Sequence, residues 1–207
     1  MTAYPAVLDS APPHGDDAPM GEDESTQGAW IPTDWLGLGL DYGTVRLTAA
    51  RPEWVELGKR VAQAIRDQLG RSVASVEHVG SSAVPGLATK PIIDLAVGLE
   101  GQVPPELVKS SLERIGYQFR GDAGDQGGLV FVLDARPKHR VVHLHVIDHG
   151  GAQWRRYITF RDLLLSDAPA REHYERKKRE LAEKFPGDRK AYTGAKTSIV
   201  HDLLQGT

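Results

Sequence analysis

Residues 76–99 read VEHVGSSAVPGLATKPIIDLAVGL, and within this run three residue types could act on one ligand. Gly80, Ser81 and Ser82 form a small polar turn after a short strand, residues 75–79. Glycine lets backbone N–H groups come close to a phosphate, and the serine hydroxyls add hydrogen bonds. Residues 92–99 form an apolar run interrupted by one carboxylate, Asp94. A β-rich run excludes a bare charge unless something pairs with it, so Asp94 needs a partner. An acid in such a strand, facing a Gly-Ser turn, points to a metal or phosphate site with Asp94 as its catalytic acid. Lys90 adds positive charge near the same mouth.

A second constellation sits at residues 141–147. Side chains alternate along a strand, which puts Val142, Leu144 and Val146 on one face and Val141, His143, His145 and Ile147 on the other. If this strand lies beside that of Asp94, two imidazoles and one carboxylate could hold a zinc, manganese or iron ion. Magnesium prefers oxygen ligands and would favour more acids. With equal weight, each histidine could simply hydrogen-bond a neighbouring acid inside the sheet. The metal set is therefore Asp94, His143 and His145, against a bracing role for the same residues.

A third set is basic and aromatic: Trp154, Arg155, Arg156, Phe160, Arg161 and Asp162, then Tyr174, Lys177 and Lys178, and finally Tyr192 and Lys196. Arg161 is suited to bidentate phosphate contact, or to an ion pair joining helix to sheet. Lys196 lies one helical turn after Tyr192 and shares its face. With Gly80, Ser81, Ser82 and Lys90, the residues Arg161 and Lys196 complete the expected phosphate contacts. Lys and Arg alternate with Glu here, which disfavours nucleic acid as a partner.

The elements that must position these groups can be read from periodicity. Pro52 opens a helix whose apolar residues Val55, Leu57, Val61, Ala62, Ile65 and Leu69 recur at helical spacing, and Gly70 stops it. Trp54 reads as a packing residue. Residues 43–49 form a strand candidate, 104–115 a second helix, and 129–134 and 141–147 further strands. Gly121 to Gly128, GDAGDQGG, reads as a flexible loop. Helices follow at 154–165, from Pro169 to about Phe185, and from Asp188 or Arg189 to Leu204.

Length and composition set the frame. A chain of 207 residues suits one domain plus a tail. Residues 1–34 hold seven acids and no Lys or Arg, and residues 1–27 lack apolar periodicity, so 1–34 reads as a disordered acidic tail and 35–207 as the folded domain. The folded part is mildly basic, which suits anionic ligands. No cysteine is present, so thiolate ligands and disulfides are excluded and a reducing cytoplasm fits. No apolar run approaches the roughly 20 residues that span a bilayer, and no secretory signal is expected. Walker A, His-Glu-x-x-His and Gly-x-Ser-x-Gly patterns are absent.

Several of these motifs, in this order, resemble the GrpB family (UPF0157) of the nucleotidyltransferase superfamily. The resemblance runs over about residues 36–204: GLDYGTVRLTAARPEWVELG, the 76–99 stretch, HLHVIDHGGAQWRRYITFRDLLL, YERKKRELAEKF and YTGAKTSIV. It implies an α/β fold with a nucleotidyltransferase-like mixed sheet, flanking helices and a helical C-terminal section. The superfamily places an Asp-x-Asp or Asp-x-Glu pair on the strand after the Gly-Ser turn; here Asp94 is the first acid and Ala96 holds the second place. Glu77 could supply the missing carboxylate or pair with a cation, and the structural role is preferred. In the Gly121–Gly128 loop, Gly128 stands where the family usually has an arginine.

Two functions follow as expectations. One is a metal-dependent nucleotidyltransferase-like enzyme acting on a small molecule, with ATP or another NTP bound at the turn and Mg, Mn or a transition metal on Asp94, His143 and His145. The other is a nucleotide- or metal-binding module without turnover. A cytoplasmic protein with nucleotide and small-molecule partners, and no membrane, is expected in either case.

Overall fold

The computed structural model describes Pro32 and residues 34–101, 103–122 and 128–206. The expected acidic tail therefore lies almost wholly outside the described residues, as does most of the Gly121–Gly128 loop. The chain runs through β1 (Leu40–Asp41), β2 (Thr48–Ala49), α1 (Pro52–Leu69), β3 (Val73–Val79), β4 (Ala88–Thr89), β5 (Ile93–Leu99) and α2 (Pro105–Arg114). It continues through β6 (Gln118–Asp122), β7 (Leu129–Arg136), β8 (His139–Asp148), α3 (Ala152–Ser166), α4 (Ala168–Lys184) and α5 (Arg189–Gln205).

The main sheet has the order β3-β5-β8-β7-β6, with β1 paired to the start of β8. Only β5 and β8 run parallel; their neighbours pair antiparallel, so the sheet is mixed. One face is apolar except for His78. Val76, Leu95, Val97, Phe131, Val142, Leu144 and Val146 point to it and are closed over by Trp54, Leu57, Val61 and Ile65 of α1 and Val108 and Leu112 of α2. Pro52 starts α1 where a missing N–H is harmless, and Gly70, at φ 54°, turns the chain out of it. Trp54 is 1% exposed and donates its indole N–H to the Leu36 carbonyl oxygen at 3.0 Å, which confirms packing as its role.

The opposite face carries Val79, Ala96 and Ile147 under Trp154, Tyr157 and Ile158 of α3. Gly98 belongs to this face because a Cβ there would lie 2.8 Å from the Trp154 ring. Helices α4 and α5 pack beyond α3, around Phe160, Leu164 and Tyr174. Asp167 and Asp188 cap them by accepting hydrogen bonds from Ala170 and Ala191 backbone N–H groups, both at 2.9 Å.

Three sequence expectations need correction. The strand candidate at 43–49 is reduced to β2, because Thr44 and its hydroxyl turn back onto the Asp41 carbonyl oxygen. Strand β6 was missed; its QFRGD sequence holds two charges and a glycine and has no alternation to read. Val141 belongs to the α1-side core and not to the histidine face. Between Leu133↔Val142 and Asp134↔Arg140, β8 advances two residues for one on β7, which is a bulge at Val141. The bulge has a functional consequence: it turns Arg140 onto the face of His143.

Candidate functional site

The parallel register of β5 and β8 sets Asp94 opposite His143 and Ala96 opposite His145. All four side chains point to the α3 side of the sheet. His143 Nδ1 is 3.0 Å from Asp94 Oδ1. Its Nε2 lies 3.2 Å from an Arg140 nitrogen and 3.1 Å from an Arg189 nitrogen. A guanidinium can only donate, so Nε2 holds the lone pair and Nδ1 carries the proton that Asp94 accepts. His145 Nδ1 sits 3.0 Å from the Tyr157 hydroxyl, with the two rings 4.8 Å apart.

Burial opposes ionisation of Asp94, but the hydrogen bond from His143 and the charges of His143, His145 and Lys196 prevail and hold its carboxyl well below the usual range. The Asp94 side chain is 31% exposed, so solvent reaches it from the α3 side. Burial keeps His143 below its ordinary pKa in spite of Asp94, and pushes His145 down to about 4.

The Gly80 turn abuts the same carboxylate. Gly80 has φ 70°, and a Cβ there would lie 3.1 Å from Asp94 Oδ2. Ser81 follows, buried, with its hydroxyl accepting from Lys178 Nζ at 2.8 Å. Lys178 is 2% exposed and also donates to the Ala88 carbonyl oxygen. Ser82 points elsewhere: it is fully buried, and its hydroxyl lies 3.0 Å from His78 Nε2 on the α1 side, where Gly58 leaves room for the imidazole. A phosphate contact by the Ser82 side chain is thereby corrected to a structural hydrogen bond.

Helices α4 and α5 bring the cations. Tyr174 and Lys178 on α4, and Tyr192 and Lys196 on α5, repeat one spacing, Tyr-x-x-x-Lys. Both tyrosines are 1% exposed. Lys90 lies over the Tyr192 ring at 4.2 Å. Burial, then the charges of Lys196 and Arg189, push Lys90 down to about 7; burial, then Lys196, holds Lys178 well below its ordinary value. Lys196 is held above the ordinary lysine value, by Tyr174 first and with help from Asp94, Tyr192 and Tyr157. Among the described residues, no carboxylate reaches ion-pair distance of Lys90, Lys178, Lys196 or Arg189. Asp94 acts on all four through space.

Arg161 is placed differently. It donates to Glu77 Oε2 at 2.9 Å, to Asp162 Oδ1 at 2.8 Å and to the His78 carbonyl oxygen at 3.3 Å. Its charge is spent on tying α3 to β3, the alternative role stated for it above, and Glu77 is likewise the partner of a cation. Glu77 faces Ala96 across β3 and β5, so the position of a second acid is held by a methyl group and its neighbour by an ion pair.

The metal expectation for Asp94, His143 and His145 does not fit these donors. His143 has both nitrogens engaged, one of them by two guanidiniums, and His145 faces Tyr157. Among the described residues, no group of three His, Asp or Glu side chains is arranged to hold a metal ion. Sequence reasoning brought Gly80, Ser81, Lys90, Asp94, His143, His145 and Lys196 to one place. It missed Arg140, which only the bulge turns inward, and Arg189, seen only as a helix start. Lys178 stood in the basic set expected to grip a triphosphate or a second substrate, and the repeated Tyr-x-x-x-Lys could have singled it out.

Residues 44–206 match the model of the GrpB protein family. The chain is 31% identical over 170 residues to the glutamate-rich protein GrpB of Alkalihalophilus pseudofirmus, covering 81% of this chain and 98% of that one. A crystal structure of conserved protein GrpB from Enterococcus faecalis superposes with a TM-score of 0.68 at 31% identity, covering 78% of this chain and 98% of that one. A dephospho-CoA kinase of Mycolicibacterium paratuberculosis is 27% identical over 188 residues, which cover 78% of this chain and 45% of that protein.

Proposed function

The chain belongs to the GrpB family, and from that premise we propose that it binds a nucleotide by its phosphates in the crevice between the Gly80-Ser81 turn, Asp94 and helices α4 and α5. One observation carries this: four basic side chains, Lys90, Lys178, Lys196 and Arg189, act on a single carboxylate, and burial with their mutual repulsion holds Lys90 and Lys178 below the ordinary lysine pKa. Clustered like charges raise the energy of the folded chain, and an anionic ligand relieves that repulsion. Phosphate oxygens offer acceptors for ammonium and guanidinium donors alike. Gly80 keeps the crevice wall thin beside Asp94, and Ser81 adds a hydroxyl oriented by Lys178. The similarity to a protein named dephospho-CoA kinase adds no support to this reading. It does not transfer the kinase chemistry, since more than half of that protein lies outside the match and this chain has no Walker A pattern.

A transferase reading is favoured by one further observation, the Asp94–His143 hydrogen bond. It orients an imidazole whose Nε2 lone pair could take a proton from an acceptor hydroxyl once Arg140 and Arg189 turn to the phosphates. The acceptor oxygen would then bond to the α-phosphorus of ATP or another NTP, the α–β anhydride bond would break with pyrophosphate leaving, and the hydroxyl proton would rest on His143 Nε2. Calorimetric titration with ATP, GTP, CTP and UTP tests the binding. Saturable binding that Lys196→Ala weakens at least tenfold is expected; no heat with any of the four overturns the proposal.

A further inference from the structure

The donors around Asp94 disagree with the metal that a nucleotidyltransferase-like fold implies, and the disagreement has a specific shape. A two-metal site for phosphoryl chemistry holds two ions about 4 Å apart and needs several carboxylates to do so. Here the strand offers one carboxylate. Its neighbour position is Ala96, and Glu77, across the strand pair from Ala96, is bound by Arg161 at 2.9 Å. The lone pair of His143 faces two guanidiniums at 3.1 and 3.2 Å. An ion at that nitrogen would have to displace both and then stand beside them. Arg140 and Arg189 meanwhile stand behind His143, and Lys196 and Arg189 act on Asp94 through space, so more positive charge gathers here than one carboxylate balances.

We propose that the crevice takes a nucleoside polyphosphate as the free anion, with Lys196 and Arg189, joined by Lys90 once the phosphate draws a proton onto it, standing where a divalent ion would otherwise neutralise the phosphates. The proposal rests on the nucleotide reading above and goes beyond it by naming the ionic form of the ligand. Free ATP carries more negative charge than its magnesium complex. A site built of protein cations gains from the free form, whereas a site built around an ion requires the complex. The single acid keeps the cations apart and orients His143; it is not a ligand to a metal.

The experiment is a calorimetric titration of the full chain with ATP in excess EDTA and again in excess MgCl2, at fixed ionic strength. Binding in EDTA at least threefold tighter than with magnesium is expected. Arg189→Gln and Lys196→Ala, measured in parallel, should each reduce that ratio towards one. Equal or tighter binding with magnesium overturns the proposal and leaves the nucleotide reading standing. Binding in neither condition overturns the nucleotide reading itself, so the two failures are distinguishable. Titration with MgCl2 alone should give no saturable heat, and saturable binding at micromolar concentration would count against the proposal. Arg189 is half-buried at the start of α5, so its variant keeps the test informative if Lys196→Ala fails to fold.

Discussion

His143 Nδ1 stands 3.0 Å from Asp94 Oδ1, across the one parallel strand pair of the sheet. The bond joins the only acid of β5 to an imidazole that two arginines reach from the other side. In such an array the carboxylate has two opposed effects: it balances buried cations, and it repels an incoming phosphate.

Asp94→Asn separates those effects. The amide oxygen can still accept from His143, so the local geometry is retained. The charge is lost, and the surrounding cations lose their counterion. Breaking a buried pair by removing one partner costs about 3–5 kcal/mol, and with part of Asp94 exposed we expect about 1–3 kcal/mol of lost stability. ATP affinity in EDTA should rise in the same variant. Metal ligation by Asp94 demands the opposite, a loss of affinity. Chemical denaturation and calorimetry on one preparation decide between them.

Acid should destabilise the protein through its histidines. Burial, ahead of Arg161, pushes His78 down to about 4 against the pull of Asp94, and burial pushes His145 to about 4. Between that value and about 6.5, the unfolded chain binds protons that the folded chain does not. Stability therefore rises with pH across this window and falls as pH drops through it. His145→Gln should flatten the slope of melting temperature against pH between 4 and 6.5. An unchanged slope would show that His145 does not titrate as its burial requires.

Gly80→Ala should be destabilising by about 1–2 kcal/mol, since an L-residue at φ 70° is strained. The new methyl group would also press on Asp94 at 3.1 Å. A fall in ATP affinity alongside the fall in stability is expected. A variant that melts like the wild type and binds ATP equally well would remove the turn from the site.

The Arg161–Glu77 pair should prove structural. Arg161 is 19% exposed and holds α3 to β3, so Glu77→Gln should cost about 1–3 kcal/mol by leaving a mostly buried cation short of its partner. ATP affinity should change less than twofold. A tenfold loss of affinity would return Arg161 to the ligand contacts first expected of it.

The main elements and the convergence of Asp94, His143 and His145 were legible because they follow from local periodicity and one Gly-Ser turn. Helix 52–69 matches to the residue, and the histidine face follows from strict alternation. What escaped depended on relations between strands and helices. Arg140 reaches His143 only because the bulge at Val141 breaks alternation, and a bulge is a two-strand property that one strand's sequence does not display. Arg189 is delivered by the docking of the start of α5 beside His143. The choice between metal ligation and bracing for the histidines turned on where two guanidiniums lie, which no spacing along the chain encodes. Strand β6 lacked alternation because Arg120 and Gly121 interrupt it.

Lys90 carries the last prediction. Burial, with Lys196 and Arg189 nearby, brings its pKa down to about 7, against an ordinary value near 10.4. At pH 8 the free protein therefore holds Lys90 largely neutral, whereas a bound phosphate favours the ammonium. ATP binding at pH 8 should take up a proton, and affinity should fall as pH rises above about 7. Calorimetry in buffers of differing ionisation enthalpy measures that uptake directly, and Lys90→Met should abolish most of it while keeping the stacking on Tyr192. The same shift governs the free protein. Between about 7 and 10.4 the unfolded chain holds a proton that the folded chain has lost, so stability should rise with pH there, and Lys90→Met should remove the rise. Binding heats that do not depend on the buffer would show that Lys90 is charged before the ligand arrives, and would take it out of the titrating set.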